Sequence, residues 1–484
     1  MRCRGLAVRF SPSCLLTALC LAAGVLDAGA QLRDVRTSQL TADDGTTFDV
    51  TSAVVRVPEA RAASGGDAAR TIDLAVVRLR RTGATGLPAA HVFLAGGPGD
   101  SGVDQVLGLA RRGGALFANL VPGDVIGIDQ RGTGRSVPNL ASSVLYAFPL
   151  DQPGSIEAWL PAVVRVSTAE AARLRAADIR IDAYNTRESA DDVSEVCKAL
   201  GYDHVTLWGR SYGSHLALAT TARHGAMVDR MVLVSPEGLD HTWKLPSQVD
   251  AVLARLETRG AGELVKPLAT ILERLRHEPV VVGVAHPQSG RPVTIALGAF
   301  DVQWIVSQVL GDPRALVTLP SVVREMRDGD YRRLAHIALL RRERAGVQSV
   351  MKIMMDLTSG ASAARRTRIE REASTALLGN AINFPGMYLG QAWGPADLGD
   401  AFRRPVTSNV PALLLVGDLD ARTPVENARE IAAALPRARV VVLENAAHQF
   451  DLFGTPPIRE ALAHFLRGGT PDVDRIVLPA LTFK

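Results

Sequence analysis

The sequence predicts an α/β protein: a mostly parallel sheet flanked by helices, with a large, mainly helical lid inserted in its second half. Three observations carry that expectation. Short, uniformly apolar runs at 91–94, 125–129, 205–208 and 231–234 alternate with other segments, several of helical pattern, as strands buried on both faces of a parallel sheet do. The same kind of run returns only at 412–417 and 439–443. Between the two sets, residues 239–405 carry apolar positions mainly at helical spacing.

With 484 residues, 47% of them hydrophobic and 21% charged, the chain is long enough for one large domain or two ordinary ones. A formal charge of +4 over that length offers no nucleic-acid face, and the cations are almost all Arg, with Lys only at 198, 244, 266, 352 and 484. Arg2, Arg4 and Arg9 precede an apolar run at 14–26 and then Ala28-Gly29-Ala30, which reads as a signal peptide over 1–30, cleaved after Ala30. The run is short for a membrane anchor, and Leu19 is too bulky to precede a lipidated Cys20. Cleavage removes Cys3, Cys14 and Cys20, so the exported chain keeps Cys197 alone and forms no internal disulfide. Cys197 lies in a helical stretch and reads as core. Three positive charges and one negative leave with the leader, taking +4 to +2.

The core is expected to run in two parts, 31–238 and 406–484, on either side of a lid at 239–405. Residues 48–57 alternate and 72–79 are rich in β-formers, with Gly65-Gly66 as a turn between them, so antiparallel strands lead into the sheet. The run at 91–94 ends in Ala95-Gly96-Gly97-Pro98-Gly99-Asp100-Ser101-Gly102, and the run at 125–129 is followed by Gln130-Arg131-Gly132-Thr133-Gly134-Arg135-Ser136. Helical pattern fills 189–200. Val205-Thr206-Leu207-Trp208-Gly209-Arg210-Ser211-Tyr212-Gly213-Ser214-His215-Leu216 then reads as a strand, a sharp turn and a helix with Ser211 at the apex. In the lid, Val249, Val252, Leu253 and Leu256 follow Ser247 as a candidate N-cap, and Leu264, Leu268, Ile271, Leu272 and Leu275 repeat the spacing until Pro279. A hairpin pairs 280–284 with 293–297, and the Arg-rich stretches 341–344 and 365–371 read as solvated helix faces. Pro456-Pro457 opens a helix through 466 that closes the domain before Gly468-Gly469.

A serine hydroxyl becomes a nucleophile when a histidine takes its proton and a carboxylate orients that histidine. With Ser211 on the turn, His448 is the expected base, because it follows the run at 439–443 by a short loop; His215 is expected to pack along the helix after the turn, and His464 lies in the terminal helix. Asp418 and Asp420 both follow the run at 412–417. Asp420 sits farther into the turn, where it can reach the His448 loop, and Asp418 is expected to cap the turn or the helix after Pro424. Two backbone N–H groups must receive a developing oxyanion. Tyr212 supplies one; Gly97 is the favoured second donor, with Gly96 as the alternative. The glycines at 209 and 213 are needed because side chains there would block the crossing of strand and helix.

Together, Gly96-Gly97-Pro98-Gly99-Asp100-Ser101-Gly102, Asp129-Gln130-Arg131-Gly132-Thr133-Gly134-Arg135-Ser136, Gly209-Arg210-Ser211-Tyr212-Gly213 and Gly417-Asp418-Leu419-Asp420-Ala421-Arg422-Thr423-Pro424 resemble the α/β-hydrolase peptidases of the prolyl iminopeptidase and tripeptidyl aminopeptidase family, closest to the exported tripeptidyl aminopeptidase branch. The resemblance spans about 45–240 and 400–467. It implies Ser211 as nucleophile, Asp420 as acid and His448 as base, with the loop at 129–132 bracing the glycine loop. Ala95 stands where iminopeptidases usually have His, Gln449 follows His448 in place of a small residue, and the lid has no cysteine. An aminopeptidase of this kind needs lid acids for a substrate ammonium, and Glu257, Glu263, Glu273, Glu278, Glu325, Glu343, Glu370 and Glu372 are the candidates. The expectation is an exported serine hydrolase, periplasmic or secreted, that needs no metal or cofactor and cleaves short peptides from a free N-terminus. A carboxylesterase or small-molecule amide hydrolase is the alternative, followed by a non-catalytic binding protein on the same fold. No nucleic-acid partner and no stable membrane association after leader removal are expected.

Overall fold

The computed structural model describes residues 31–61, 70–85 and 89–484; the leader at 1–30 and the Gly65-Gly66 turn lie outside them. Three antiparallel strands lead in: β1 (Leu32–Thr41), β2 (Thr47–Pro58) and β3 (Thr71–Arg81). β1 is the edge strand, with Leu40 its one fully buried residue, so no apolar alternation marks it in the sequence. Then follow β4 (Ala90–Leu94), α1 (Gly102–Leu120), β5 (Asp124–Ile128), α2 (Ile156–Ala176), α3 (Thr186–Ala199), β6 (Val205–Arg210), α4 (Tyr212–His224) and β7 (Val228–Val234).

Between β7 and the next core strand the chain is mainly helical: α5 (Pro246–Leu256), α6 (Val265–His277), the hairpin β8 (Val280–Ala285) and β9 (Pro292–Leu297), α7 (Ala299–Val309), α8 (Pro313–Leu316), α9 (Leu319–Arg327), α10 (Arg332–Arg344), α11 (Val350–Ser359), α12 (Ala363–Ala373), α13 (Gly390–Trp393) and α14 (Asp400–Arg403). The core resumes with β10 (Ala412–Gly417), α15 (Val425–Ala433), β11 (Ala438–Glu444), α16 (Pro456–Leu466) and β12 (Arg475–Val477). Ten strands form one sheet in the order β1-β2-β3-β5-β4-β6-β7-β10-β11-β12, parallel from β5 onward. Alternate residues of each strand face opposite layers. Leu207, Leu233 and Leu414 pack with Val193, Leu216 and Ala428 of α3, α4 and α15. Phe93, Val232 and Leu413 pack with Phe117 and Leu462 of α1 and α16.

Several local expectations are corrected. Helix α5 starts at Pro246 with Leu245 as its N-cap, and Ser247 instead donates its hydroxyl to Glu372 at 2.7 Å. Proline at the first helical position fixes the start two residues earlier than a cap at Ser247 would. The sheet continues past α16, because β12 adds parallel to β11 beyond the Gly468-Gly469 stop. The arginine stretches are not uniformly solvated. Arg342 is fully buried against Asp301 at 2.6 Å, and Arg365 is buried with its Nε donating to the Trp243 carbonyl.

Residues 137–184, which fall within the expected first part of the core, pack with the inserted helices. Trp159 of α2 stacks on Phe148 with ring centroids 4.3 Å apart and meets Trp304 and Phe384 from the insertion. Short antiparallel bridges join the same two segments, Ala141 to Ser349 and Leu145 to Gly346. Val137, in turn, exchanges backbone hydrogen bonds with Asp73 of β3. The roof over the sheet is therefore made of two chain segments, one of them tied directly to the sheet.

Candidate active site

Ser211 stands at the end of β6 with φ 52° and ψ −125°, a conformation that costs a non-glycine residue roughly 1–3 kcal/mol. The flanking glycines make it attainable: a Cβ on Gly209 would collide with the Gly213 carbonyl, and one on Gly213 with the Leu94 carbonyl. Close crossing of β6 and α4 lifts the serine above the sheet edge, as expected from the motif. The Ser211 carbonyl accepts from the Ser214 hydroxyl at 2.5 Å, which helps fix the turn.

The loops after β10 and β11 bring Asp420 and His448 together. His448 Nδ1 lies 2.9 Å from Asp420 Oδ2, which also accepts from the Thr423 hydroxyl at 2.7 Å. The other oxygen, Oδ1, accepts from the backbone N–H groups of Arg422 and Thr423 at 2.8 and 2.9 Å. Asp420 is fully buried, which alone would raise its carboxyl; the facing His448 and these hydrogen bonds outweigh burial and hold it below the ordinary carboxylate range. The His448 carbonyl accepts from the Ser235 hydroxyl at 2.9 Å, so the loop is pinned to the end of β7 as well. Asp418 does not cap the helix after Pro424. Its Oδ1 accepts from the Asn445 N–H at 2.8 Å and its Oδ2 pairs with Arg259 at 2.6 Å, so it ties the β11 loop to α5's extension. His215 is a core residue: Nδ1 faces the Gly238 carbonyl at 3.0 Å, Nε2 the Ser359 hydroxyl at 3.2 Å, and burial lowers it to about 4.

The glycine loop after β4 lies directly against the serine turn. A Cβ on Gly96 would sit 3.0 Å from the Arg210 carbonyl oxygen and 3.5 Å from Ser211 Cβ, and Gly97 takes φ +104°. Asp129 braces this loop by accepting from the Ser101 hydroxyl at 2.5 Å and the Val103 N–H at 3.0 Å; Gln130 donates to the Ala95 carbonyl at 3.4 Å. Arg131 is buried beneath, bonded to Asp192 at 2.7 Å and to the Glu59 and Ala183 carbonyls. Tyr212 turns its side chain into the core, 3.1 Å from the Thr186 hydroxyl, leaving its backbone at the start of α4 beside Ser211.

Ser211, His448, Gly96, Gly97 and Gln449 line one cavity of about 1270 Å³, roofed by Tyr146, Phe148 and residues of the insertion such as Trp304, Ile353 and Phe384. None of the eight lid glutamates lines it. Glu273 pairs with Arg276 and His277, Glu325 with Arg333, Glu343 with His286 and Glu372 with Arg368, all away from the cavity, and Glu257 accepts from the backbone at the start of α6. The carboxylates that do face it are Asp100 of the glycine loop and Glu237 and Asp356, the last two missed by sequence reasoning. Glu237 had a signal, since it closely follows a core strand, where ligands of parallel sheets gather; Asp356 had none. Each holds a lysine, Glu237 with Lys244 at 2.5 Å and Asp356 with Lys352 at 2.6 Å. Burial raises the Asp356 carboxyl despite Lys352, whereas at Glu237 burial is outweighed by Lys244 together with His215 and Lys352, and the carboxyl is lowered. Among the described residues, no group of three or more His, Cys, Asp or Glu is placed to hold a metal ion.

A parallel sheet with β5 and β4 exchanged, a strained serine after β6, and a helical roof between β7 and β10 define the α/β-hydrolase fold, and the chain has that fold. Two family models match in sequence: the alpha/beta hydrolase fold over residues 92–284, and a TAP-like protein over residues 390–477. No curated protein matches the chain. Similar solved structures include an esterase from Exiguobacterium antarcticum (15% identity, 90% of this chain and 100% of that one, TM-score 0.35). A thermophilic esterase from Thermogutta terrifontis (16%, 89% and 98%, TM-score 0.34) and 2-hydroxy-6-oxo-6-phenylhexa-2,4-dienoate hydrolase from Rhodococcus sp. strain RHA1 (13%, 90% and 100%, TM-score 0.36) are two others.

Proposed function

We propose that the protein is an exported serine hydrolase that cleaves short peptides through an acyl-enzyme on Ser211, releasing units from a free N-terminus. The observation that carries the reading is the strained Ser211 sharing one cavity with the Asp420–His448 pair and the Gly96-Gly97 loop. His448 takes the Ser211 proton as the hydroxyl oxygen attacks the carbonyl carbon; Asp420 holds the Nδ1–H tautomer and stabilises the imidazolium. The oxyanion is received by the N–H groups of Tyr212 and Gly97, with Gly96 as the alternative to Gly97. His448 then gives its proton to the leaving amine, and water activated by the same imidazole releases the acyl group.

Peptides are supported as substrates by the TAP-like match and by the cavity volume, which exceeds the roughly 300–1,000 Å³ of ordinary small-ligand pockets. Asp100, Glu237 and Asp356 are the cavity carboxylates able to receive an ammonium. Export is supported by the leader pattern at 1–30. One observation favours the second reading, a carboxylesterase or small-molecule amide hydrolase: Glu237 and Asp356, two of the three cavity carboxylates, are already neutralised by Lys244 and Lys352.

A hydrolysis panel separates the two. Single-residue, dipeptide and tripeptide amide reporters with free or blocked N-termini are compared with a short-chain ester, using wild type, Ser211→Ala and Asp420→Asn. The peptidase reading expects free-amine peptides to be cleaved, no turnover by Ser211→Ala, and kcat lowered about a thousandfold or more by Asp420→Asn. Ester turnover alone establishes the second reading, and full activity in Ser211→Ala rejects both.

A further inference from the structure

The lysines of the cavity wall are ion-paired, whereas none of its four arginines has an ion-pair partner among the described residues; Arg344 is solvent-exposed and Arg210 is engaged by Phe450, which leaves Arg341 and Arg422. Arg341 on α10 and Arg422, two residues beyond Asp420, line the same cavity as Ser211, and among the described residues neither has a carboxylate within ion-pair distance. Arg422 is fixed in place. Its Nη2 donates to the neutral Gln308 Oε1 at 2.7 Å, its backbone N–H donates to Asp420, and its guanidinium lies so close to Gly311 that a side chain there would collide with it. Burial draws Arg422 down to about 10, against the pull of the Asp420 charge, and the positive charge of Arg341 acts in the same direction as burial. Burial lowers Arg341 too, tempered by Asp312 from beyond ion-pair distance. Arg210 also faces the cavity, but it stacks over the Phe450 ring and donates to the Phe450 carbonyl.

Two guanidinium groups in a shared, partly desolvated wall, repelling each other and lacking a counter-ion, are relieved by an anion arriving between them. We propose that Arg341 and Arg422 form an anion subsite and that the substrate carries a carboxylate which they receive. Planar guanidinium forks match a carboxylate in two-point hydrogen bonding. Arg341 belongs to the roof and Arg422 to the loop that carries Asp420, so the bound carboxylate bridges roof and core beside the reacting bond. The proposal rests on the serine-hydrolase reading and adds the class of substrate: an acyl compound or short peptide with a free carboxylate, whether a C-terminal one or an Asp or Glu side chain.

The test uses reporters paired by charge. p-Nitrophenyl hemiglutarate is set against its methyl ester, and short peptides are offered with free or amidated C-termini, with and without an acidic side chain. Wild type is expected to favour the anionic member about tenfold or more in kcat/KM, and Arg341→Gln to abolish the preference through KM. In the peptides, sensitivity to amidation assigns the C-terminal carboxylate, and dependence on the acidic side chain assigns the other source. Equal rates for both members in wild type, or a preference that survives both Arg341→Gln and Arg422→Gln, overturn the subsite. A titration independent of turnover accompanies the panel: glutarate and glutaramide are added to Ser211→Ala protein in a calorimeter. Glutarate should bind, glutaramide should not, and adding Arg341→Gln should remove glutarate binding. If no reporter is hydrolysed, the hydrolase reading fails by itself while the titration still decides the subsite, and absence of glutarate binding there rejects it.

Discussion

His91 shows how a single side chain couples this fold to pH. It is buried inside β4, where Trp208 Nε1 donates to its Nδ1 at 3.1 Å and its Nε2 faces the Pro122 carbonyl at 3.2 Å. That pattern fixes a neutral imidazole with its proton on Nε2, and burial lowers its pKa to about 4. His215, equally enclosed, is lowered to about 4 for the same reason. An unfolded histidine titrates near 6.5, so the unfolded chain binds protons that the folded one refuses. Their contribution is fully present above pH 6.5 and is lost as pH falls through about 4, to a limit of about 3 kcal/mol for each residue. Urea midpoints are therefore expected to drop between pH 7 and pH 5, and His91→Gln to flatten part of that slope. An unchanged midpoint across the interval counts against the neutral, buried assignment. At the candidate site, sequence order and loop position point to Ser211, Asp420 and His448 as the candidates, and the structure sets His448 2.9 Å from Asp420 and in one cavity with Ser211. The true partners of Asp418 were not legible, because Asn445 and Arg259 come from distant segments that no local pattern links to it.

Among the elements, α10 explains why a row of arginines misleads. Arg341 and Arg344, three positions apart on one helix face, both line the cavity, whereas Arg342 between them is buried, so one turn of helix holds opposite environments. Helical rotation of about 100° per residue places adjacent side chains on different faces, so composition alone could not sort them. Arg342 bonds Asp301 at 2.6 Å and the carbonyls of Pro149, Gln152 and Ala296, and its guanidinium lies 5.0 Å from the Trp159 ring centroid. It thus joins α10 to α7, to β9 and to the segment before α2. Arg342→Met leaves the Asp301 carboxylate buried without its cation, a loss of about 3–5 kcal/mol. Thermal unfolding should show a marked fall in Tm for Arg342→Met and a much smaller one for Arg341→Gln, which removes an unpaired charge. Equal shifts would contradict the distinction. Sequence did disclose the core strands, because a strand buried on both faces must be apolar throughout. It did not disclose β1, whose edge position imposes no such demand.

At the scale of the whole molecule, roof and sheet are one folding unit in spite of their separate sequence patterns. Trp159, Phe148, Tyr184 and Leu174 come from the first half of the chain, and their apolar partners Trp304, Phe384, Trp393 and Met354 come from the insertion. Excising 239–405 and joining the ends with a short linker should therefore yield insoluble or unfolded protein, since the exposed aromatic faces would have no cover. Recovery of a soluble core with native circular dichroism would show the insertion to be dispensable. This shared layer escaped the sequence because contacts between residues more than 100 positions apart leave no periodic trace in either segment.

The backbone bridges from Ala141 and Leu145 to Ser349 and Gly346, together with the Val137–Asp73 exchange, have a kinetic consequence. A cover sewn along a seam works as a turnstile with fixed posts. Molecules are then expected to enter and leave without a jaw shutting behind them. Without a closing step of microseconds to milliseconds between capture and bond cleavage, added viscogen should slow arrival and departure while leaving the acylation step untouched.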